Sequence, residues 1–598
     1  MSQVAHASNT PMTPAGIQGA AMLTRRRALA GALNGTTFLL LAAALAIVLG
    51  AGGWTLIDAL ILLCFLIAAP WSVLGFWNAM IGLWLLHGPG PRNALDQVAP
   101  YAGAGDRLSA LAARTAVLMT LRNEDPGRAF LRLAAVKASL DATGQGAHFS
   151  YFALSDTSEA VVAVQEDALF AQWQQSAGTD GARVHYRRRD DNAGYKAGNV
   201  RDFCARWGGD FDFMLPLDAD SLMAGATILR MVRIMEAYPK LGLLQSLVVG
   251  TPAQSAFARI FQFGMRHGMR AYTMGSAWWA GDCGPFWGHN ALVRIAPFAA
   301  HCDLLVLPGG GPLGGQILSH DQLEAVLLRR AGFEVRVLPE ETGSYEDNPP
   351  TILEFTRRDL RWCQGNMQYW RLLGMPGLKF MSRFQLLWAI MMFVGIPAWT
   401  LIIALVALKG VFPKGAAEFP AGLALGVYGA FLLMYLAPKL AGFLDIALSQ
   451  GELARYGGGW RFAAGCVTEL LFSFLLGAVT TFRTALFMLG LLFGRTVGWS
   501  GQSRDAHALS WETALKGLWP QTLFGVIVLA LYWHISPALA LWSLPLTAGF
   551  VLAVPYAVLT SSPWLGALLA RAKLCGIPEE FSMPPEIRAI GAGKAGVT

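Results

Sequence analysis

The stretch "FDFMLPLDADS", residues 211–221, decides the fold. Mostly apolar side chains occupy 211–217, as in a buried strand, and Asp218 and Asp220 follow at its end. A D-x-D sequence on a tight turn directs two carboxylates at one point. Hard divalent cations such as Mg²⁺ bind such oxygens and leave their other positions to substrate phosphates. An isolated D-x-D is more often a solvated turn, so the neighbouring motifs must decide between the two interpretations.

Two earlier stretches repeat the pattern of an apolar run that ends in polar residues. "AVLMT" runs into "LRNED" at 121–125, and "FSYFAL" runs into "SDTS" at 155–158. Helical stretches, Asp125–Leu140 and Glu159–Gln175, lie between these runs. Strands that alternate with helices predict a mostly parallel α/β sheet, whose ligands bind beyond the carboxyl ends of the strands.

Two further motifs supply candidate chemistry for such a site. In "RRRDDNAGYKAGNV", 187–200, Lys196 and the nearby Gly198 offer a cation and close backbone approach, which suit a diphosphate. In "SHDQLEA", 319–325, Asp321 follows a glycine-rich loop and is a candidate general base. The alternatives are an ordinary basic loop and a helix cap, and His320 is a second, more often structural, candidate.

The stretch "RRDLRWCQGNMQYW", 357–370, combines cations with aromatic rings. Guanidinium groups bind phosphate oxygens in a forked geometry, and indole faces suit flat apolar partners such as sugar faces. The alternative is an aromatic and basic membrane anchor, and the two are not exclusive. We expect Arg358, Arg361 and Trp362 to close a site, while Tyr369 and Trp370 form the anchor.

The composition indicates a membrane protein. Of the 598 residues 54% are hydrophobic and 14% are charged, against about 25% charged in soluble domains. The net charge of +7 is therefore assigned to cytoplasmic loops rather than to nucleic-acid binding. The seven cysteines form no C-x-x-C pair, so neither a zinc site nor a disulfide framework is predicted.

Apolar blocks predict six to eight membrane spans. The block at 467–493 contains Glu469 and Arg483, so it is either a span with a functional interior or an interfacial helix. Cations at both ends of the chain favour cytoplasmic termini. The other candidate spans are Thr37–Leu49, Leu56–Leu86, Leu386–Leu408, Ala421–Ala437, Leu518–Trp533 and Ala538–Leu559.

The expected organisation has five parts, and an α/β domain is inserted in a polytopic helical membrane domain. They are a cytoplasmic segment 1–30, two transmembrane helices in 31–90, the α/β domain with an interfacial helix in 91–380, transmembrane and interfacial helices in 381–565 with a gating loop at 494–512, and a cytoplasmic tail 566–598.

In order, these motifs resemble the membrane-embedded family 2 glycosyltransferases. The stretches that carry the resemblance span about 120–366 and follow the pattern D, D-x-D, catalytic D and R-x-x-R-W. "SHD" with "RWCQGN" is typical of the branch that makes the β-1,2-linked backbone of osmoregulated periplasmic glucans. Two positions depart from the relatives, Gln316 and Leu360. The stretches are "TLRNEDP", "LSDTS", "KAGN", "LDADS", "CGPFWGHNALVR", "GGQILSHDQLEA" and "RRDLRWCQGN".

The resemblance implies a GT-A (Rossmann-like) fold, UDP-glucose as donor, Mg²⁺ or Mn²⁺ as cofactor, and inversion at the anomeric carbon. It implies Asp321 as the base and Asp220 as metal ligand. The other implied roles are donor binding by Thr120, Asn123, Glu124, Asp156, Lys196, Asp218, Arg358 and Arg361, acceptor binding by Trp362, Trp287 and His289, and gating by Trp499, Gln502 and Arg504.

The same resemblance implies a multi-pass protein of the bacterial inner membrane that couples processive synthesis to export of the glucan acceptor. It raises acyl carrier protein and a periplasmic glucan-processing protein as partners, beside the lipid bilayer. Three rival functions stay open from the sequence. They are a cellulose-synthase-like β-1,4-glucan synthase, a transporter whose soluble domain binds nucleotide, and a lipid-linked transferase that adds one sugar.

Overall fold

The computed structural model describes residues 18–89, 93–411, 419–497 and 505–595. The chain begins with two long helices, α1 (Ala20–Gly50) and α2 (Leu56–His87). Helix α1 starts before the expected boundary at 31. Its first turns are held because Arg26 donates to the carbonyl of Trp278 at 3.3 Å and Arg27 donates to that of Ala280 at 2.7 Å.

Helices and strands then alternate up to residue 368. In chain order they are α3 (Ala94–Val98), β1 (Thr115–Leu121), α4 (Pro126–Asp141), β2 (Phe149–Ser155), α5 (Ala160–Ser176), β3 (Val184–Arg188), α6 (Tyr195–Trp207), β4 (Phe213–Asp218), β5 (Leu222–Met223), α7 (Gly225–Ala237), β6 (Leu241–Ser246), β7 (Val249–Gly250), α8 (Ala256–Ala280), β8 (Ala291–Arg294), α9 (Ile295–His301), α10 (His320–Arg330), β9 (Glu334–Leu338), β10 (Ser344–Glu346) and α11 (Ile352–Gln368).

These strands form the predicted mixed α/β sheet. Seven of them lie in the order β3-β2-β1-β4-β8-β6-β9, and only β8 runs antiparallel to its neighbours. Thr120 pairs with Asp218, and Leu121 pairs with Ser155. The carboxyl ends of β1, β2 and β4 therefore meet at one edge, where the polar clusters of the sequence follow them. A small second sheet, β5-β10-β7, lies beside this edge.

Helix α8 joins the α/β domain to the membrane-type helices. Glycines let it touch α2 directly: a Cβ added to Gly82 would lie 1.7 Å from the carbonyl oxygen of Ala271, and one added to Gly275 would lie 1.9 Å from that of Asn78. Small residues allow this close backbone approach between helices. The three arginines within α8, Arg259, Arg266 and Arg270, give it no apolar block from which this contact could be predicted.

The second half of the chain is helical. Its helices are α12 (Phe380–Val411), α13 (Ala421–Leu448), α14 (Glu452–Arg455), α15 (Gly459–Leu492), α16 (Trp511–Ile535), α17 (Pro537–Val551), α18 (Ala553–Ser561), α19 (Pro563–Ala572), α20 (Pro578–Phe581) and α21 (Pro585–Ala595). In the described residues six helices are long and apolar enough to cross a membrane, namely α1, α2, α12, α13, α15 and α16, and a bent pair could supply a seventh span.

Two of the apolar blocks differ in detail from expectation. The block Ala538–Leu559 is bent by 60° between α17 and α18. Pro555 lacks the amide proton that a continuous helix would use, which explains the break just before it. The charged block is a continuous helix, α15. Its Glu469 accepts a hydrogen bond from Ser473 at 2.6 Å and contacts Lys439 of α13, so the charge is paired inside the helix bundle.

The expected C-terminal tail is packed onto α8 and the α/β domain. Arg259 of α8 is 2% exposed, donates to Glu580 at 2.6 Å and donates to the carbonyl of Leu574 at 2.8 Å. Glu586 accepts from Ser139 of α4 at 2.5 Å. The C-terminal residues therefore contact both α4 of the α/β domain and α8, which packs against the membrane-type helices.

We expect Glu580→Ala to lower the stability of the protein by about 3 kcal/mol, because the substitution leaves a buried guanidinium without its carboxylate. Thermal unfolding in detergent would measure the change. Glu512→Ala is the control, because Glu512 pairs with Lys516 where both side chains are at least 75% exposed. Equal melting temperatures for the two variants would show that the ion pair between Arg259 and Glu580 contributes nothing to stability.

Candidate active site

A cavity opens at the carboxyl ends of β1, β2 and β4. It is bounded by the ends of these strands, by the start of α10 and by one face of α11. It gathers most of the candidate residues from stretches up to 240 positions apart. The predicted residues that line it are Thr120, Glu124, Asp156, Lys196, Asp218, Asp220, Trp287, His289, Asp321, Arg358, Arg361 and Trp362.

Asp156 is buried and held by a forked ion pair. Arg189 donates to its two carboxylate oxygens at 2.7 and 2.8 Å. The pair follows from strand register, because Ser155 lies opposite Arg188 and the next residue on each strand is then adjacent. Arg189 lies in the basic run 187–200 but was not among the predicted site residues. The signal was the register of β2 and β3, which a single sequence does not give.

The two aspartates of D-x-D lie at different depths. Asp218 ends β4, contacts the ammonium of Lys196, and its amide donates to Ser221 at 3.1 Å. Asp220 is buried, and its carbonyl accepts from Arg132, which also donates to Asp347 at 2.6 Å. Arg132 therefore fixes the backbone of the turn from below, so that the two carboxylates keep their positions.

The donor chemistry at this turn fits a divalent metal that arrives with a substrate. Within the described residues no group of three or more His, Cys, Asp or Glu side chains is arranged to hold a metal ion. Mg²⁺ is usually bound by one or two carboxylates together with phosphate oxygens and water. Asp218 and Asp220 are two carboxylates of this kind, and the ammonium of Lys196 contacts Asp218.

Asp321 lies in the first turn of α10, after Ser319, which is the N-cap residue. It therefore does not act as the helix cap that the sequence left open. Burial raises the pKa of its carboxyl, although His320 opposes the shift. Gly288 adopts a positive φ beneath it: a Cβ there would lie 3.7 Å from both a carboxylate oxygen of Asp321 and the ammonium of Lys196. The base candidate and the phosphate candidate thus face one space.

His320 has a structural partner. Its Nδ1 lies 3.0 Å from Glu324 on the next turn of α10. Burial alone would lower the pKa of His320, but the Glu324 carboxylate reverses the sign and raises it. The pairing agrees with the structural interpretation of this histidine.

The candidate acceptor residues form a second wall. The amide of Trp287 donates to Gln245 at 3.0 Å, and Gln245 donates to the carbonyl of His289 at 3.1 Å. His289 lies 3.4 Å from Glu346, which also lines the cavity. Glu346 was missed in the sequence because β10 is three residues long and carries no motif.

Helix α11 presents one face to the cavity. The guanidinium of Arg358 lies 4.9 Å from the ring centroid of Trp362, and Trp362 is 50% exposed. Trp370 is 67% exposed, as the anchor interpretation expects. The expectation that Tyr369 is part of the membrane anchor is wrong. Its side chain is fully buried, and its hydroxyl donates to the carbonyl of Ser319 at 2.6 Å. It anchors the site rather than the membrane.

An adjoining face of α11 holds the glycine-rich loop that leads to Asp321. Gln364 donates to the carbonyl of Pro312 at 3.2 Å. Gln368 donates to that of Gln316 at 3.0 Å and accepts from the amide of Leu318 at 2.9 Å. One helix therefore carries the cationic and aromatic residues of the cavity and also positions the loop before the base.

We expect Gly365→Ala to reduce turnover strongly while the protein stays folded. A Cβ at Gly365 would lie 2.2 Å from the hydroxyl oxygen and 2.7 Å from the amide nitrogen of Ser319. The start of α10, and Asp321 with it, must therefore shift. Steady-state kinetics and melting temperature measure both effects. Gly374→Ala is the control, because a Cβ there meets nothing within 4 Å. Wild-type turnover in Gly365→Ala would contradict this role for α11.

Some predicted residues lie elsewhere. Asn123 is not among the residues that line the cavity; it has a positive φ, and its side-chain oxygen accepts from the amides of Ser158 and Glu159 at 2.9 and 3.0 Å. These bonds join two strand-end loops, and the donor-binding role of Asn123 stays a prediction. The gating-loop candidates Trp499, Gln502 and Arg504 lie outside the described residues.

Two described residues of the predicted gating loop contact the α/β domain. The amide of Val497 donates to Gln364 of α11 at 2.9 Å. Asp505 contacts Arg128 of α4. The contact of Val497 places one part of this loop next to α11, which borders the cavity.

The fold and the cavity define a class of protein, the membrane-associated glycosyltransferases with an α/β catalytic domain. A family model described as "Glycosyl transferase family group 2" matches residues 213–414. These residues include the D-x-D turn, Asp321 and α11. The enzyme class and the α/β fold predicted from the sequence are thereby confirmed, and enzymes of this family generally use a divalent metal ion.

The particular family is shown by relatives that are similar to this chain over nearly its whole length. A protein of Xanthomonas campestris pv. campestris (strain B100) named "Glucans biosynthesis glucosyltransferase H" is 36% identical over 90% of this chain and 85% of its own length. Proteins of the same name from Caulobacter vibrioides (strain NA1000 / CB15N) and Bradyrhizobium diazoefficiens are 37% and 36% identical, over 90% and 92% of this chain and 83% and 76% of theirs. The chain belongs to the glucans biosynthesis glucosyltransferase H family.

Proposed function

We propose that this protein transfers glucose from UDP-glucose to the end of a growing β-1,2-linked glucan, and that the transfer takes place in this cavity. The observation that carries the proposal is the shared space above Gly288, which the Asp321 carboxylate and the Lys196 ammonium both face. A base and a phosphate-binding cation that border one space suit the transfer of a group away from a diphosphate. The names of the relatives supply glucose and glucan.

In this proposal the donor lies along the strand ends. Asp156, held by Arg189, accepts hydrogen bonds from the uracil, and Thr120 and Glu124 border the ribose. Lys196 and Asp218 lie at the diphosphate. Asp220 would hold Mg²⁺ or Mn²⁺ against the diphosphate oxygens, where the ion would neutralise the charge of the leaving UDP.

Asp321 acts as the general base. It takes the proton of the acceptor hydroxyl while the oxygen bonds to the anomeric carbon from the face opposite UDP, so the configuration inverts. The bond from that carbon to the diphosphate oxygen breaks, and its electron pair leaves with UDP. Arg358 and Arg361 stabilise the leaving charge with forked hydrogen bonds. Trp362, Trp287 and His289 bind the acceptor sugar.

Synthesis is coupled to export in this proposal. A polymer of hydroxyl groups requires a lined path through hydrocarbon. Helix α15, which packs against α11, carries Arg483 and Thr484 within a membrane-type helix. The hydroxyl of Thr484 hydrogen bonds with Asp359 of α11, and burial raises the pKa of that carboxyl to about 6. These polar groups next to α11 support a path that begins beside Trp362.

The protein is accordingly proposed as a multi-pass enzyme of the bacterial inner membrane with its α/β domain in the cytoplasm, where sugar nucleotides are found. Arg25–Arg27 at the start of α1 agree with that orientation. The gating role of the segment around 499–504, acyl carrier protein and a periplasmic glucan-processing protein stay predictions from the resemblance.

The direct test uses purified protein in lipid vesicles with labelled UDP-glucose. We expect release of UDP and incorporation of glucose into chains of many units. Products that stop at one added sugar would indicate a lipid-linked transferase instead. Binding of UDP-glucose without UDP release would indicate a transporter that only binds nucleotide.

A further inference from the structure

An apolar groove separates α1 from α2 and α12. Its volume is about 360 Å³, and it is lined almost entirely by apolar side chains of these three helices and by Trp279. One wall is aromatic: the rings of Phe384 and Trp388 stack at 5.4 Å, and Trp71 stacks on Trp388 at 5.7 Å. The groove is separate from the catalytic cavity and shares no lining residue with it.

Two glycines of α1 keep the groove open. Gly31 and Gly35 lie one turn apart and line it, and a Cβ added to either would meet no atom within 4 Å. The contrast is the contact between α2 and α8, where a Cβ on Gly82 would lie 1.7 Å from a carbonyl oxygen. Glycine disfavours a helix interior by about 1 kcal/mol relative to alanine. Here it brings no helices together, so its effect is to leave room.

The surroundings determine what can fill this room. Helices α1, α2 and α12 are all long and apolar enough to span a membrane. An apolar groove offers water too few hydrogen-bond partners, and an empty one forfeits dispersion contacts along its whole lining. In a bilayer the available apolar filler is an acyl chain.

Cations mark the end of the groove next to the α/β domain. Arg27 lines this end and donates to Asp282 at 2.5 Å. The exposed Lys379 immediately precedes the lining residue Phe380 at the start of α12. Positive groups at the edge of an apolar groove suit an anionic headgroup, since each adds about 1 kcal/mol of attraction near an anionic surface.

We propose that this groove binds one acyl chain of an anionic phospholipid, whose headgroup lies at the Lys379 end of the groove, beside Arg27. The bound chain fills the gap between α1 and α12. It thereby fixes α1, whose first turns hold the end of α8 through Arg26 and Arg27.

The test is lipid retention by the full-length protein purified in mild detergent from membranes that contain phosphatidylglycerol and phosphatidylethanolamine. Native mass spectrometry and lipid extraction measure the retained lipid. We expect about one phosphatidylglycerol per wild-type chain and at least about tenfold less in Gly35→Phe, since displacing two methylene groups already weakens binding by about tenfold. Gly426→Phe is the control, because Gly426 faces open space on α13 outside the groove.

A second variant keeps the groove and removes the exposed cation at its end. Lys379→Gln should lose the preference for phosphatidylglycerol over phosphatidylethanolamine while a lipid is still retained. The variant also tests the proposal if Gly35→Phe does not fold. Equal retention in Gly35→Phe and Gly426→Phe would overturn the site. An unchanged preference in Lys379→Gln, or wild-type protein without bound lipid, would overturn the proposed occupant.

Discussion

Asp321→Asn should reduce turnover by about 10²–10⁴-fold, the range expected when a positioned general base is removed. The asparagine keeps the shape of the side chain but cannot accept the acceptor proton. Binding of UDP-glucose should be preserved, because the base acts on the acceptor. Calorimetric titration of UDP-glucose and steady-state release of UDP measure the two effects separately. Asp303→Asn is a suitable control, since Asp303 has a side chain that is 76% exposed.

The same residue predicts a pH dependence. Burial raises the pKa of Asp321, and a base must be ionised to accept a proton. Turnover of the wild type should therefore fall as the pH drops through a value above the usual range of an aspartate. If Asp321→Asn consumed UDP-glucose at the wild-type rate, the assignment of the base would be wrong, and a transporter that binds nucleotide would gain support.

Asp220→Asn should reduce turnover by about 10²-fold or more, because a metal that neutralises the leaving diphosphate contributes several kcal/mol in the transition state. Asparagine keeps one oxygen but loses the charge that binds a hard cation. The required concentration of Mg²⁺ or Mn²⁺ should rise as well. Turnover is measured at increasing concentrations of Mg²⁺ or Mn²⁺, with a chelator added to the sample that contains no metal. The titration gives the maximal turnover rate and the metal concentration that the enzyme requires.

Asp210→Asn is the control for this experiment, because Asp210 is exposed and precedes β4 instead of following it. The variant should behave as the wild type. If Asp220→Asn kept the wild-type rate and metal response, the metal would be held elsewhere or not needed.

The features predicted best were those that a strand end fixes locally. "LRNED", "SDTS" and "LDADS" each follow an apolar run, and parallel strands bring such ends to one edge whatever the details of the loops. That physical rule is why Asp156, Asp218 and Asp220 could be placed together from the sequence. Asp321 and α11 were found by motif, and their packing beside the same edge follows from the tertiary structure.

The features that were missed depend on contacts between distant segments. Arg189 meets Asp156 through strand register, and Glu346 enters the cavity on a strand of three residues. Asn123 was predicted to bind the donor, and in the structure its side-chain oxygen accepts from two backbone amides of the neighbouring loop. Tyr369 was expected to join Trp370 in a membrane anchor because both are aromatic, but only Trp370 is exposed and the ring of Tyr369 is buried.

The central claim is that the protein makes a β-1,2-linked glucan from UDP-glucose and exports it. The most direct measurement is linkage analysis of the product made by inverted inner-membrane vesicles, with and without external glucanase. We predict β-1,2-linked chains inside the vesicles, protected from the enzyme and absent with Asp321→Asn. A β-1,4-linked polymer, or chains that stay outside and are fully digested, would contradict the account.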